Sequence, residues 1–314
     1  MLINPLGGSN KKISGILFKT AKESVGTVKK VVTPMDVEAA LKDFREKGVN
    51  LLIVSGGDGT VQAVLTTLFG KGPFDTLPAL AILPGGTTNL IAKDVGICIS
   101  QKRAIKELMN LLRENRLLSC ATLAKRHVLH LNCQDRVDEY GMFLGAAGIS
   151  QAVAAFQKQK MHHLTCRKAN ILLAAIKLMV ASIVGRGTKD HSERLKIRLN
   201  GKTILDKRFL LVLVTTLERL FFGIRPFWAQ MDGPIHLTAV ARRPKYFPKV
   251  LLGLIFKRFS KHLTKENGYL SFNAHIIELY APKGVALDGQ IIKNPDPDIP
   301  IVVKDGGEVS FIKL

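Results

Sequence analysis

Apolar residues along this chain follow two rhythms, and the change between them near Leu118 marks a boundary. Before it, short and mostly apolar runs, Val49 to Val54 and Ala79 to Leu83, each lead through a turn into a helical pattern. Val61, Val64, Leu65 and Leu68 fall at i, i+3, i+4 and i+7 and make one buried stripe. Thr33-Pro34-x-Asp36 predicts a helix start, with threonine as cap, proline in the first turn and a carboxylate at the positive end. Val37, Ala40, Leu41 and Phe44 give that helix its inner face and Gly48 its stop. A further helix is predicted over Gln101 to Leu118, with Ile105, Leu108 and Leu112 inward. Strand and helix signals in alternation predict a parallel sheet covered by helices, a Rossmann-like α/β domain over residues 1–118.

After Leu118 the period shortens to two. Ala121 to Asn132, Gly141 to Ala147, Arg194 to Leu199, Phe209 to Thr216, Ile235 to Ala241 and Tyr269 to Tyr280 read as strands. Asn200-Gly201 is a strong hairpin signal. Residues 119–295 are therefore expected to form a mainly antiparallel β-sandwich.

Two of the turns in the first part carry candidate chemistry. Gly56-Gly57-Asp58-Gly59-Thr60 lies between a strand and a helix, and Pro84-Gly85-Gly86-Thr87-Thr88-Asn89 repeats the arrangement about thirty residues on. Glycines let backbone amides converge on phosphate oxygens at the positive end of the following helix. Taken alone, Gly-Gly-Asp-Gly is more often a tight turn than a site. A third segment, Asn4-Pro5-Leu6-Gly7-Gly8, favours the site. Neither loop is a Walker motif, and Gln62 stands where a dinucleotide fingerprint has its third glycine.

These three segments, in this order, resemble the diacylglycerol kinase catalytic domain family, which includes sphingosine kinases, bacterial lipid kinases and, more remotely, NAD kinases. The resemblance implies transfer of the ATP γ-phosphoryl group to a hydroxyl of a membrane lipid such as diacylglycerol. It implies nucleotide contacts at Asn4, Pro5, Gly56, Gly57, Asp58, Gly59, Thr60, Pro84, Gly86, Thr87 and Asn89. Asp232-Gly233 is similar to the family's magnesium-associated acidic turn, which makes Asp232 the candidate metal residue and ATP with Mg2+ the expected cofactors. Asp288-Gly289 is similar to the catalytic Asp-Gly-Glu, so catalytic roles fall to Asp288, Gly289 and Asp58. The family's chain returns to its first domain at the end, and residues 296–314 are expected to do the same.

The chain departs from the family pattern at Ala63, where a glutamate is usual, at Leu90, often an aspartate, and at Gln290, which replaces the last carboxylate. Glutamine cannot accept a proton at neutral pH, so a base at that corner is Asp288. Asp-Gly also suits a two-residue hairpin turn, a reading compatible with a site. A soluble-metabolite kinase of the NAD type and a non-catalytic nucleotide or lipid binder stay open.

Composition narrows the partners. The 314 residues carry a formal net charge of +21, and residues 140–265 hold 23 Lys and Arg against 5 Asp and Glu. No carboxylate occurs from Gly233 to Lys265, where Arg242, Arg243, Lys249, Lys257, Arg258 and Lys261 interleave with Phe and Leu. That texture predicts contact with an anionic membrane surface more than with nucleic acid, for which no stacking or zinc-finger pattern is present. The apolar stretch Ile171 to Val184 is a second, weaker candidate. No run reaches the ~18 apolar residues of a spanning helix, and the start lacks a secretory pattern. Four dispersed cysteines without C-x-x-C argue against zinc or a disulfide framework. The expectation is a cytoplasmic protein, peripheral at the inner membrane surface, with a dimer left open as its oligomeric state.

Overall fold

The computed structural model describes residues 1–8, 10, 15, 18–19, 21–22, 27–86, 88–95, 99–114, 116–120, 122–134, 138–160, 192–220, 223–256, 258, 260–281 and 283–313. The expected apolar segment Ile171 to Val184, Thr87 and Lys257 lie outside the described residues. The fold is mixed α/β with mostly strands. The chain divides into two compact units, Met1–Val128 with Glu139–Gly141 and Gly306–Leu314, and Leu129–Asp138 with Met142–Asp305.

In the first unit β1 (Leu2–Ile3) lies between β2 (Lys29–Lys30) and β3 (Leu51–Gly56), and β3 pairs with β4 (Ala79–Pro84), all parallel. Strands β5 (Thr122–Asn132) and β6 (Glu139–Gly141) come later in the chain, and Phe311 of β15 (Ile301–Lys313) sits beside Leu80 of β4, again parallel. Helix α1 (Pro34–Glu46) begins with a complete capping box, Asp36 N–H donating to Thr33 Oγ1 at 3.2 Å and Thr33 N–H to Asp36 Oδ2 at 2.8 Å. Its buried residues are Val37, Ala40, Leu41 and Phe44, and Gly48 follows at φ 64°. Helix α2 (Asp58–Gly70) buries Val61, Val64, Leu65 and Leu68.

The helix expected over Gln101 to Leu118 is two, α4 (Gln101–Arg113) and α5 (Leu117–Cys120), after the short α3 (Leu90–Asp94). Arg113, Glu114 and Arg116 continue no apolar stripe, and Arg116 N–H reaches back to the Leu111 carbonyl, which ends α4. Ile105 and Leu108 are buried against Ile53, Ala81 and Leu83, with Leu112 half-buried beside them.

The second unit is built from antiparallel pairs: β13 (Val285–Leu287) with β14 (Gln290–Ile292) and β7 (Phe143–Ala147), β7 with β9 (Thr203–Thr215), and β9 with β8 (Glu193–Leu199) and β10 (Ile235–Ala241). The strand expected over Tyr269 to Tyr280 breaks in two. β11 (Tyr269–Ala274) pairs with β10, whereas β12 (Ile276–Tyr280) pairs with β8 and with the start of β15. The break is held by the hairpin Asn200-Gly201, both at positive φ (48° and 72°). The N–H groups of His275 and Ile276 donate to Asn200 Oδ1, each at 3.0 Å.

Helix α6 (Gly148–Lys160) follows β7 directly and has no forewarning in the alternating pattern. Its first turn packs on β7: a Cβ at Gly145 would stand 2.2 Å from Ile149 Cγ2, so glycine there makes the room. No helix of the described residues is long and apolar enough to cross a membrane.

Candidate functional site

The C-terminal ends of β3 and β4 place the two glycine loops side by side. Gly56 pairs with Pro84 in the sheet, and Gly85 N–H continues the contact by donating to the Gly56 carbonyl at 2.9 Å. Beyond this the backbones touch. A Cβ on Gly86 would lie 2.4 Å from Gly57 Cα, and one on Gly57 would lie 3.1 Å from Gly86 Cα. Carbon atoms settle at about 3.5–4.0 Å, so Gly86 has no room for a side chain, while one at Gly57 needs the facing backbone to give by a few tenths of an ångström. The cradle is thus closed by backbone rather than by side chains.

Gly57 is also the cap position of α2, in extended conformation, and no side chain caps the helix there. An uncapped helix N-terminus presents unsatisfied amides and the positive end of the helix dipole, the combination that binds phosphate. The second loop is self-braced. Asn89, at φ 50°, accepts from Gly86 N–H at 2.7 Å and donates back to the Gly86 carbonyl at 3.1 Å. Gly86 therefore shapes the loop with its missing side chain, while its amide serves Asn89.

Asn4 joins the opening segment to this pair. Its Nδ2 donates to Thr60 Oγ1 at 2.9 Å, its Oδ1 accepts from Leu6 N–H at 3.0 Å, and its own N–H donates to the Ser55 carbonyl at 2.9 Å. Asn4, Pro5, Gly56 to Thr60, Pro84, Gly86 and Asn89 thus sit within one unit around one pair of loops.

Asp58 braces the site from within. Its Oδ1 accepts from Ile91 N–H at 3.1 Å, and Leu90 N–H and the Thr88 hydroxyl also bond it, so the carboxylate fastens the start of α2 to the start of α3. Burial pushes its carboxyl above the ordinary value, while those three donors pull the other way. Asp232 is fully exposed, with His275 Nε2 3.7 Å away, and its turn is held because Gly233 packs on the Ala274 backbone. No group of three or more metal-ligating side chains occurs among the described residues. Neither Asp58 nor Asp232 stands in a ready-made metal cluster among the described residues.

Asp288 and Gly289 form the turn between β13 and β14, at φ 45° and 89°. Asp288 is buried and grips β7: its Oδ2 accepts from Met142 N–H at 2.9 Å and its Oδ1 from Phe143 N–H at 3.0 Å. Gln290 begins β14 and is exposed.

Two residues of the cradle carry no sequence signal. Asn10 is fully buried and donates through Nδ2 to the carbonyls of Asn4 (2.7 Å) and Ser55 (3.0 Å). Its Oδ1 accepts from Gln101 Nε2, the first residue of α4, at 2.5 Å, and from Ser55 Oγ at 3.2 Å. A Cβ on Gly85 would lie 2.8 Å from that Oδ1, so the amide also backs the second loop. Asn10→Ala is expected to destabilise the protein by about 1–3 kcal/mol for each buried group left unpaired. Urea unfolding measures it, and an unchanged midpoint would remove Asn10 from the support of the loops.

Residues 1–120 match the sequence model of the family described as the diacylglycerol kinase catalytic domain. The family likeness read from the loops holds over that part of the chain. A probable lipid kinase YegS of Escherichia fergusonii is 39% identical over 71 residues, 23% of this chain and 23% of that protein. A diacylglycerol kinase of Bacillus subtilis is 43% identical over 60 residues, 19% of this chain and 17% of that one. The matched stretches thus span less than a quarter of these curated relatives. The crystal structure of a putative diacylglycerol kinase from Bacillus anthracis superposes with a TM-score of 0.65 over 100% of this chain and 96% of that one. At 20% identity, that likeness is one of fold.

Proposed function

We propose that this chain is a lipid kinase that transfers the γ-phosphoryl group of ATP to a hydroxyl of a membrane lipid such as diacylglycerol. The observation that carries the reading is the backbone-to-backbone closure of two glycine loops at the uncapped start of α2. In this reading the first unit is a Rossmann-like nucleotide domain, and the second, a β-sandwich, receives the acceptor. Amides of Gly57 to Gly59 take the phosphate oxygens, and Asn4 holds the Thr60 hydroxyl beside them. Thr87 belongs to the same loop in the sequence.

The acceptor oxygen attacks Pγ, the bond from Pγ to the β-bridging oxygen breaks, and ADP leaves. Asp288 accepts the proton of the acceptor hydroxyl. Most of the rate in such a transfer comes from positioning and charge stabilisation, which rigid loops supply.

A second reading, a binder without turnover, is favoured by two features of the same corner. Asp288 already spends two bonds on Met142 and Phe143, and Gln290 brings no carboxylate. Purified protein given labelled ATP, vesicles carrying mixed lipid alcohols and, in a parallel tube, NAD separates the readings. The kinase account expects label in lipid alone; label in NAD, or in neither, overturns it.

A further inference from the structure

Helix α7 (Phe247–Ile255) has two apolar faces, and the fold uses one. Phe247 and Val250 are buried, Leu251 and Leu254 half-buried, and together they pack on Val240 and Tyr269 beside Trp228. On the opposite side Leu252 is 54% exposed and Phe256, the cap residue, 70%. Lys249, Leu252 and Phe256 are spaced three and four apart, so they form one outward ridge. Among the described residues, the core contacts of the helix come from its inner face.

The surroundings have one sign of charge. Arg242, Arg243, Lys245, Arg258, Lys261 and Lys265 are exposed, and the sequence from Gly233 to Lys265 contains no carboxylate. The segment after the helix is tied back to its start by Tyr246 stacked on His262, ring centroids 4.2 Å apart. Ridge and charges are thus presented by one braced hairpin.

We propose that α7 is a membrane-docking element: Leu252 and Phe256 enter the headgroup boundary of an anionic bilayer, and Lys249, Arg258 and Lys261 hold the surface to its acidic lipids. Aliphatic and aromatic tips amid lysines suit that boundary, where apolar insertion and headgroup attraction add. A phosphodiester backbone would reward the charges and leave Leu252 without a role. The inference deepens the lipid-kinase reading by saying how the acceptor's surface is reached, and it stands on a separate set of residues.

Flotation of the full chain with vesicles tests it, using phosphatidylcholine alone or with about a third phosphatidylserine. The wild type is expected to bind only the acidic vesicles, and less as salt rises, because exposed charges are screened beyond about 8 Å at physiological ionic strength. Leu252→Ser with Phe256→Ser is expected to lower partition roughly tenfold to a hundredfold while keeping the salt dependence. Both side chains are exposed, so the fold should survive. Lys249→Gln, Arg258→Gln and Lys261→Gln together should cost about fivefold each. Equal partition of the double serine variant and the wild type would overturn the proposal. So would tight binding of a duplex oligonucleotide that displaces the vesicles and ignores the ridge. ATP titration without vesicles reads the kinase assignment separately: wild type that binds ATP but no vesicle sinks the docking surface alone, and the reverse result sinks the nucleotide site alone.

Discussion

Gly86→Ala is expected to weaken ATP binding roughly a hundredfold and to lower stability by about 1–3 kcal/mol. The added methyl carbon would start 2.4 Å from Gly57 Cα, so the loops must part by about 1 Å before carbon atoms reach ordinary contact. The nearest neighbour is backbone, so no rotamer change can relieve that clash, and Asn89 Oδ1 would lie only 3.0 Å away. Parting the loops moves Gly57 at the very start of α2, where the phosphate amides lie. Gly57→Ala should be milder, about tenfold in affinity, because its methyl would start at 3.1 Å from Gly86 Cα. Calorimetric titration of both variants, each shown folded by circular dichroism, gives the two losses. Unchanged affinity in Gly86→Ala would mean that the loops bind no phosphate.

Asp288→Asn is expected to lower phosphoryl transfer by about 10²–10⁴-fold, the range of a lost acid–base group, and to leave ATP affinity within a few-fold. It should also lower stability. The carboxylate accepts two backbone N–H groups, and an amide can accept one while turning its own NH2 toward the other. The cost of the unpaired donor is about 1–3 kcal/mol. Turnover per folded molecule separates the two roles: if it equals the wild type's, Asp288 is a brace for β7 and no more. Gln290→Glu is the companion test, since it adds a carboxylate at the exposed start of β14. Activity that appears only in Gln290→Glu would mark a binder whose transfer chemistry has been lost.

The parts of this molecule that sequence discloses are those whose physics is local. The Thr33 cap, the stripe of α2 and the Asn200-Gly201 hairpin depend on neighbours within a few residues, and each stands where its pattern placed it. The glycine loops are legible for the same reason, because strand, glycine and helix succeed one another within a dozen residues. What stays hidden depends on distant partners. Gln101 meets Asn10 across 91 positions and Asp288 meets Met142 across 146, and no short-range pattern encodes either bond. The two apolar faces of α7 also read as one apolar helix until β10 and β11 claim the inner one. The α6 helix escapes notice because alanines blur its stripe, and its place is set by the gap at Gly145.

The account rests on phosphate lying against the start of α2, and amide hydrogen exchange reads that contact at the atoms concerned. On addition of ATP, exchange is expected to slow in peptides covering residues 55–62 and 84–91, with the largest change at Gly57 to Gly59, and to slow far less in Gly86→Ala. Protection that appears only elsewhere in the chain, with both loops exchanging as in the free protein, would contradict it.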